Sequence, residues 1–460
     1  MLRLVVAFVF ILIFFGILVA RFVYLQVDQH ENYVAQAATN RISLIPVPPI
    51  RGEIVDVNGV VLAQNYPAYS LEIIPNQVEG KVDDLIERLR EYVQLDESDL
   101  RRFRKFRADY RSYEKVPLKL KLLPDEASRL AAQLYRFKGV EINARTFREY
   151  PFGALTAHFL GYIGRISDRD QEKLAESNRA IAYRGTTHIG KSGLEAHYEE
   201  QLHGMPGYQE VEKDAAGNVI RVIRSEPPKT GQTLRLSMDI RLQREADRLM
   251  GNRRGAMVAI DPQTGSVLAF VSKPNFDPNI FIDGIDSESW KALNENWQRP
   301  LINRVTQGLY PPGSTFKPFV YSAALSKGFS TESMVEDAPL NIGGWQPKNS
   351  DGNYAGMITL RSALTRSKNT VSVRILQTIG VRYAIDYIQK FGFKPNQLPT
   401  TLSLALGAGS ATPLQMAEGY AAFANGGYKI SAYVVDKIYD SKRNLVAQMQ
   451  PLVAKQNAPR

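Results

Sequence analysis

Residues 310–318 read Tyr-Pro-Pro-Gly-Ser-Thr-Phe-Lys-Pro, and this stretch decides the fold and chemistry predicted for the second half of the chain. The Pro-Pro-Gly turn ends extended structure. A helix can begin at Ser314, because Pro318 then falls in its first turn. Residues three positions apart share a helix face, so Lys317 is predicted to lie beside the Ser314 hydroxyl. The stretch therefore predicts a serine nucleophile next to a lysine.

The composition supports lysine as the base. The 460-residue chain contains no cysteine, and all five histidines precede residue 204. The absence of cysteine excludes disulfides, thiol nucleophiles, iron–sulfur clusters and cysteine-based zinc sites. A serine is a weak nucleophile unless a base lies within hydrogen-bond reach. A partly desolvated lysine can supply that base, because burial lowers its pKa. We therefore expect neither a metal nor a cofactor.

The spacing S-x-x-K is by itself a weak signal. Residues 112–115 (Ser-Tyr-Glu-Lys) also match it, inside a charged segment, and we interpret that match as accidental. A second motif, Ser367-Lys368-Asn369, follows the first between two helical segments. Its hydroxyl and amide can relay a proton and hold a substrate amide. Taken alone, the triplet is more typical of a polar loop at a helix end.

The amino terminus predicts a membrane anchor. Residues 4–20 carry no charge, and about 20 apolar residues suffice to cross a bilayer as a helix. The run is longer than the apolar region of a cleaved signal peptide, which spans roughly 7–15 residues. The positive charges that precede it are Arg3 and the amino terminus, which places the tail in the cytoplasm and the bulk of the chain outside. A buried core helix is the less favoured reading, because the run has no polar face.

Turn and periodicity signals divide the rest of the chain. Asn58-Gly59 between two β-rich runs predicts a hairpin, whereas residues 80–146 have a helical period and many charges. Near residue 255 the sequence becomes more apolar. Residues 255–271 predict an apolar hairpin suited to the centre of a sheet, followed by helices. The predicted domains are a transmembrane anchor (1–27), a pedestal of the dimerisation-domain type (28–245) and a catalytic domain (246–460).

Two segments suggest nucleic-acid or nucleotide binding. Residues 101–111 carry six basic residues interleaved with Phe103, Phe106 and Tyr110, a pattern seen in nucleic-acid-binding proteins. A helix with a solvated charged face and buried aromatics explains the pattern better outside the membrane. Residues 185–192 have the spacing of a phosphate-binding loop, but no apolar strand precedes them. We therefore expect no nucleic-acid partner.

The two serine motifs together resemble the transpeptidase domain of penicillin-binding proteins. The sequences Leu-Ala-Leu-Gly at 404–407 and Thr-Pro-Leu-Gln-Met-Ala at 412–417 add to the resemblance. The amino-terminal part is similar to the class B, elongation-type penicillin-binding protein 2 family. That similarity rests on the membrane anchor, Arg-Gly-Glu-Ile-Val-Asp at 51–56, Gly-Lys-Ser-Gly-Leu-Glu at 190–195, and residues 255–272.

The resemblance implies peptidoglycan D,D-transpeptidation. In that reaction a serine attacks the penultimate D-Ala of a stem peptide and releases the terminal D-Ala, and an amine on a neighbouring stem resolves the acyl-enzyme. β-Lactam antibiotics acylate the same serine. The implied catalytic residues are Ser314 as nucleophile, Lys317 as base, and Ser367 and Asn369 as assisting groups. Thr315, Lys368 and Gly407 are the residues expected to bind substrate.

The resemblance also implies an α+β fold and a location. A transmembrane helix leads into an elongated mixed pedestal, and a serine acyl-transferase domain follows, with a central antiparallel sheet flanked by helices. The implied location is the bacterial inner membrane, with the bulk of the chain in the periplasm. The implied role is cell elongation and shape maintenance. A rod-shape type membrane glycosyltransferase is the expected protein partner.

Two departures leave alternatives open. Residues 335–427 look more like the transpeptidase of class A proteins. The family's third motif, Lys-Thr/Ser-Gly, does not follow Asn369, and the match at 229–231 precedes the nucleophile. The last strands of the catalytic sheet are therefore expected to be missing. The main alternative is a catalytically impaired scaffold of the same fold that binds cell-wall synthesis partners. A β-lactam sensor and a β-lactamase are weaker alternatives, since the sequence offers neither a signalling segment nor an evident deacylating Glu.

Overall fold

The computed structural model describes residues 2–29, 42–109, 115–213 and 219–450. The chain forms two compact units that interleave along the sequence. The first consists of residues 1–50, 167–187 and 204–230, and the second of residues 51–166, 188–203 and 231–460. The domain limit at residues 245 and 246 stays a prediction, and both residues lie in the second unit.

The elements of the described ranges are numbered along the chain. The strands are β1 (Ile42–Val47), β2 (Ile54–Val55), β3 (Val61–Ile73), β4 (Val116–Leu122), β5 (Val140–Glu149), β6 (Ile163–Arg165), β7 (His188–Gly190), β8 (Gly207–Lys213), β9 (Val219–Glu226), β10 (Thr233–Leu236), β11 (Gly255–Ile260), β12 (Val267–Lys273), β13 (Met334–Asp337), β14 (Gly356–Thr359), β15 (Val435–Tyr439) and β16 (Leu445–Gln448). The α-helices are α1 (Leu2–Val23), α2 (Val82–Leu89), α3 (Glu97–Asp109), α4 (Pro124–Ala131), α5 (Ala157–Leu160), α6 (Asp168–Glu176), α7 (Gly193–His197), α8 (Glu199–His203), α9 (Ile240–Met250), α10 (Ser287–Asn294), α11 (Lys317–Ser326), α12 (Leu360–Thr365), α13 (Asn369–Ile379), α14 (Val381–Ile388) and α15 (Pro413–Ala424).

The first unit contains the apolar amino-terminal helix and a small sheet. Helix α1 continues into a π-helical turn over Tyr24–Asp28. The segment Phe8–Asp28 is, within the described ranges, the one helical segment long and apolar enough to cross a membrane. The sheet is antiparallel, in the order β1-β8-β9. Strand β1 lies within the predicted pedestal (28–245), and residues 30–41 of that segment lie outside the described residues.

A seven-stranded sheet organises the second unit. Its strands lie in the order β16-β15-β10-β2-β3-β4, and β5 also pairs with β3. The predicted hairpin at Asn58-Gly59 is confirmed, because β2 and β3 pair antiparallel across it. Gly59 adopts a positive φ of 86°, which glycine reaches without a steric penalty. The Asp56 carboxylate accepts hydrogen bonds from the backbone N–H groups of Asn58 and Val60, both at 2.8 Å.

The prediction of a helical segment over residues 80–146 is only partly right. Helices α2, α3 and α4 are present, but β4 and β5 are strands that both pair with β3. Val116, Leu118 and Val140 on these strands are buried. Pairing with β3 is a contact between residues far apart in sequence, and burial against such neighbours overrides local propensity.

Helix α3 carries the basic run that could have suggested nucleic-acid binding. Phe103 and Phe106 are buried in the core beneath it, together with Leu100. The prediction that the aromatic residues of this run face the core is therefore confirmed for these two residues. Tyr110 lies outside the described residues, as do residues 112–114 of the second S-x-x-K match.

A buried ionic cluster joins two of the motifs noted in the sequence. Glu195 is fully buried, accepting from Arg51 Nε at 2.7 Å and from Arg148 Nε at 2.8 Å. The Tyr150 hydroxyl donates to the same carboxylate at 3.2 Å. Burial raises the pKa of Glu195, but Arg148 and Arg51 outweigh that effect, and the net pKa lies below its usual value. Glu195, the last residue of the Gly-Lys-Ser-Gly-Leu-Glu motif at 190–195, therefore has an electrostatic role inside the fold.

This cluster predicts a large loss of stability in the Glu195→Gln variant. The substitution leaves the buried guanidinium of Arg148 without its counter-ion, and breaking a buried ion pair on one side costs about 3–5 kcal/mol. The free energy of unfolding from urea denaturation measures this loss. The matched control is Glu245→Gln, which removes an exposed partner of Arg248 and is expected to leave stability unchanged. Equal behaviour of the two variants would contradict the prediction.

The carboxy-terminal part of this unit has the predicted central antiparallel sheet flanked by helices. Strands β11 and β12 form the predicted apolar hairpin, with α9 packed on β12 and α15 on β11. Helix α11 packs against α13 and α14, over a core that includes Phe319, Val371 and Leu376. Helix α15 starts with a capping box, in which Thr412 and Gln415 exchange hydrogen bonds at 3.0 and 3.1 Å. These contacts give α11 and α13 a rigid support.

Candidate active site

Ser314 lies on a tight turn, not in an α-helix. Residues Gly313–Phe316 form a 3₁₀ turn, and α11 begins at Lys317. The predicted helix start at Ser314 is therefore wrong by three residues. Pro318 has no N–H to donate to the Ser314 carbonyl, so the Lys317 N–H donates instead and closes the shorter 3₁₀ ring. The Ser314 side chain is exposed on this turn.

The turn that carries Ser314 is held from two sides. Phe316, two residues after the serine, is buried in the helical core. On the other side the Gly313 N–H donates to the Gly407 carbonyl at 3.2 Å. Gly407 has a φ of 69°, and a Cβ atom there would overlap the Gly313 carbonyl oxygen. Position 407 therefore requires glycine for this close backbone approach, whatever its predicted contact with substrate.

The Lys317 ammonium joins the two sequence motifs. Its side chain is fully buried, and Nζ donates to the Ser367 carbonyl at 2.6 Å and to Ser367 Oγ at 3.0 Å. A third hydrogen bond, of 2.7 Å, goes to Asn369 Oδ1. Burial lowers the pKa of Lys317 from 10.5 to about 8. An amine with this pKa can exchange a proton near neutral pH, as a general base must.

Ser367 and Asn369 are held in place by the junction of α12 and α13. Ser367 has a positive φ of 55°, and a non-glycine residue in this region carries strain of about 1–3 kcal/mol that its surroundings must offset. Asn369 begins α13, and its Nδ2 donates to the Lys348 carbonyl at 2.8 Å. The remaining Asn369 side-chain oxygen therefore points to Lys317. The structure therefore brings together Lys317 of the first motif and Ser367 and Asn369 of the second.

Two residues expected to bind substrate have partners within the protein. The Thr315 hydroxyl donates to the Pro312 carbonyl at 2.6 Å, although its side chain is exposed. The prediction that the Lys368 side chain binds substrate is corrected by its position. That side chain is 4% exposed, and its Nζ donates to Asp351 Oδ2 and to the Asn353 carbonyl, both at 2.9 Å. The Lys368 ammonium therefore points toward the protein interior and away from a bound substrate.

Several polar residues near the site were missed from the sequence. Asp337 and Asn349 are buried beside the start of α13. Both lie within residues 335–427, and for these two residues the sequence predicted only a class A resemblance. Tyr420 on α15 donates from its hydroxyl to the Thr315 carbonyl at 2.6 Å. It also lines an apolar cavity of about 320 Å³ beside Thr315. No group of three His, Asp or Glu residues suited to a metal occurs among the residues the structure describes.

Two protein-family models match the chain. The penicillin-binding protein dimerisation domain matches residues 46–236, and the penicillin binding protein transpeptidase domain matches residues 255–458. The chain is 35% identical to the peptidoglycan D,D-transpeptidase MrdA of Escherichia coli K12, over 98% of this chain and 76% of that protein. A separate match of 213 residues, 45% of this chain, is 54% identical to penicillin-binding protein 1A of Neisseria flavescens and covers 24% of that protein.

Solved structures with the same fold include two penicillin-binding proteins 2. The Pseudomonas aeruginosa protein, in complex with WCK 5153, superposes with a TM-score of 0.61 at 28% identity, over 89% of this chain and 77% of that chain. The Helicobacter pylori protein, solved as a complex with MreC, has a TM-score of 0.69 at 23% identity, over 88% and 80% of the two chains.

Proposed function

The chain belongs to the class B penicillin-binding proteins, in the penicillin-binding protein 2 family, and we propose that Ser314 and Lys317 are the nucleophile and the general base of its reaction. Its similarity to the MrdA transpeptidases shows that it is a peptidoglycan D,D-transpeptidase that acts in cell elongation. The observation that carries the residue assignment is the buried Lys317 amine, three residues after the exposed Ser314, which is bound to Ser367 and Asn369.

The proposed reaction begins with proton transfer from Ser314 to the neutral Lys317 amine. Ser314 Oγ forms a bond to the carbonyl carbon of the penultimate D-Ala, and the peptide bond to the terminal D-Ala breaks. The proton returns from Lys317 through the Ser367 hydroxyl to the leaving amine. Asn369 keeps the lysine in position and holds a substrate amide. An amine of a neighbouring stem peptide then attacks the acyl-enzyme and restores Ser314.

The proposal predicts a single covalent adduct with a β-lactam. A strained lactam carbonyl in the place of the D-Ala carbonyl acylates Ser314, and the product lacks a leaving group that can diffuse away. Intact-mass spectrometry should show one added β-lactam per chain, and peptide mapping should locate it on Ser314. A folded protein that gains no adduct, or gains it on another residue, would overturn the proposal.

The acylation rate is expected to depend on pH through Lys317. Burial lowers the pKa of its ammonium to about 8, and only the neutral amine can accept the serine proton. The rate should therefore fall as pH drops below about 8 and level off above it. Stopped-flow acylation by a fluorescent penicillin measures this profile, with near-ultraviolet circular dichroism as a check that the fold persists. A flat rate between about pH 6.5 and 9 would exclude Lys317 as the base.

The location and partners are also proposals. We infer that α1 anchors the chain in the bacterial inner membrane and leaves the bulk in the periplasm. The proposed ligands are peptidoglycan stem peptides and β-lactams. The proposed protein partner is a rod-shape type membrane glycosyltransferase. Residues 28–245 are proposed as a pedestal and residues 246–460 as the catalytic domain.

The scaffold alternative is not favoured. It rests on the third motif, which does not follow Asn369 in this sequence, whereas the curated relatives are D,D-transpeptidases. A scaffold would also have no need for a buried lysine with a lowered pKa three residues after an exposed serine. The β-lactam adduct distinguishes the two functions, because a scaffold without a working nucleophile forms none.

A further inference from the structure

Lys368, the middle residue of the second motif, is the buried cation of a polar cluster beside the site. Besides Asp351 and the Asn353 carbonyl, its Nζ lies 3.4 Å from Asp337 Oδ2, and Asp337 is fully buried. Asp351 is half exposed, so Asp337 is the buried counter-ion of this lysine. A buried charge is retained in a fold when it is paired in this way.

The cluster also holds the first turn of α13. Asp337 Oδ1 accepts from Thr370 Oγ1 at 2.6 Å and from Asn349 Nδ2 at 2.7 Å. Asn349 Oδ1 in turn accepts from the backbone N–H of Asn369 at 2.8 Å and of Thr370 at 3.3 Å. These are N–H groups that a helix start leaves without intrahelical partners. Asp337 therefore connects the Lys368 ammonium to the backbone of Asn369.

We propose that Lys368 is a positioning residue, whose buried ion pair with Asp337 keeps Ser367 and Asn369 against the Lys317 amine. The inference rests on the proposed function, since it assigns Lys317 its catalytic partners. Ser367 and Asn369 flank Lys368 directly, and both bind the Lys317 Nζ. The left-handed backbone of Ser367 persists only where neighbours over-determine it. The ion pair supplies that constraint from the next residue along the chain.

The Lys368→Met variant tests the inference, because it keeps the length of the side chain and removes the ammonium. With Ser367 and Asn369 released, acylation by a fluorescent penicillin should slow roughly 10- to 100-fold, as expected for catalytic groups displaced by about 1 Å. Water should then reach Lys317, and the pKa of its amine should rise. Competitive acetylation of lysines at a series of pH values, read by peptide mass spectrometry, measures that pKa. The Lys368→Arg variant keeps the charge and should retain most of the rate.

The matched control is Arg374→Met on the same helix. Arg374 pairs with Glu336 at 3.3 Å, next to Asp337 on β13, but the Glu336 carboxylate of that pair is half exposed. The control should change neither the acylation rate nor the pKa of Lys317. If Lys368 had only a structural role, the Lys368→Met variant would have a lower melting temperature and an unchanged pKa of Lys317. That result would overturn the inference. An unchanged acylation rate in Lys368→Met would overturn it as well.

Two further measurements keep the test decisive. If Lys368→Met does not fold, Asp337→Asn removes the buried counter-ion but keeps a side-chain oxygen for Thr370 and Asn349. This variant should shift the acylation rate and the pKa of Lys317 in the same direction, and no shift would overturn the inference. If the unaltered chain forms no β-lactam adduct, the proposed function fails. The pKa of Lys317 in the variants still tests the positioning role separately. A raised pKa would support that role, and an unchanged pKa would overturn it.

Discussion

The Ser314→Ala variant is expected to lose the β-lactam adduct completely and to lose transpeptidation by at least about 10⁴-fold, the scale on which removal of a serine nucleophile lowers turnover. The nearby Thr315 hydroxyl cannot replace it, because that hydroxyl already donates to the Pro312 carbonyl. The loss should occur without unfolding, since the Ser314 side chain is exposed.

Intact-mass spectrometry and a stem-peptide cross-linking assay measure the two losses. The matched control is Ser326→Ala, the same substitution at an exposed position on α11. This control should acylate at the rate of the unaltered chain. An adduct that persists in Ser314→Ala would place the nucleophile elsewhere and refute the assignment.

The Lys317→Met variant is expected to slow acylation by about 10²–10⁴-fold, the usual contribution of a general base. Methionine has a similar length but cannot accept the Ser314 proton. Its residual rate should no longer show a rise near pH 8, because that rise belongs to the lysine. Stability should be nearly kept: burial lowers the pKa of this lysine, which means that the fold disfavours its charged form.

Acylation kinetics over the pH range and thermal unfolding together test this second prediction. The control is Lys327→Met at the end of the same helix, where the ammonium is exposed and lies over the Tyr383 ring. That variant should keep both the rate and the pH profile. A Lys317→Met variant that retains the rise near pH 8 would assign the base to another group.

The catalytic motifs were predicted from the sequence because they are local. Ser314 and Lys317 are three positions apart, so one helical turn is enough to relate them. The same holds for the hairpin at Asn58-Gly59, since it depends on a few neighbouring residues.

The errors share a different cause. The strands β4 and β5 were missed because their hydrogen bonds go to β3, which is distant in sequence. The start of α11 was predicted three residues early. Pro318 has no N–H to donate to the Ser314 carbonyl, so the α-helical hydrogen bond from residue 318 to residue 314 cannot form. Lys368 was assigned to the substrate because its counter-ion Asp337 lies on a separate strand and no spacing rule connects them.

The sequence by itself predicted Ser314 as the nucleophile, Lys317 as its base, the apolar anchor and the resemblance to penicillin-binding proteins, because each is encoded in contiguous residues or short spacings. Only the tertiary structure decided that Lys317 is buried, that Ser367 and Asn369 bind its amine, and that Lys368 faces Asp337. Burial and pairing arise from segments far apart in the chain. The pKa of a lysine depends on that environment, so the chemistry of this site is completed only when the chain is folded.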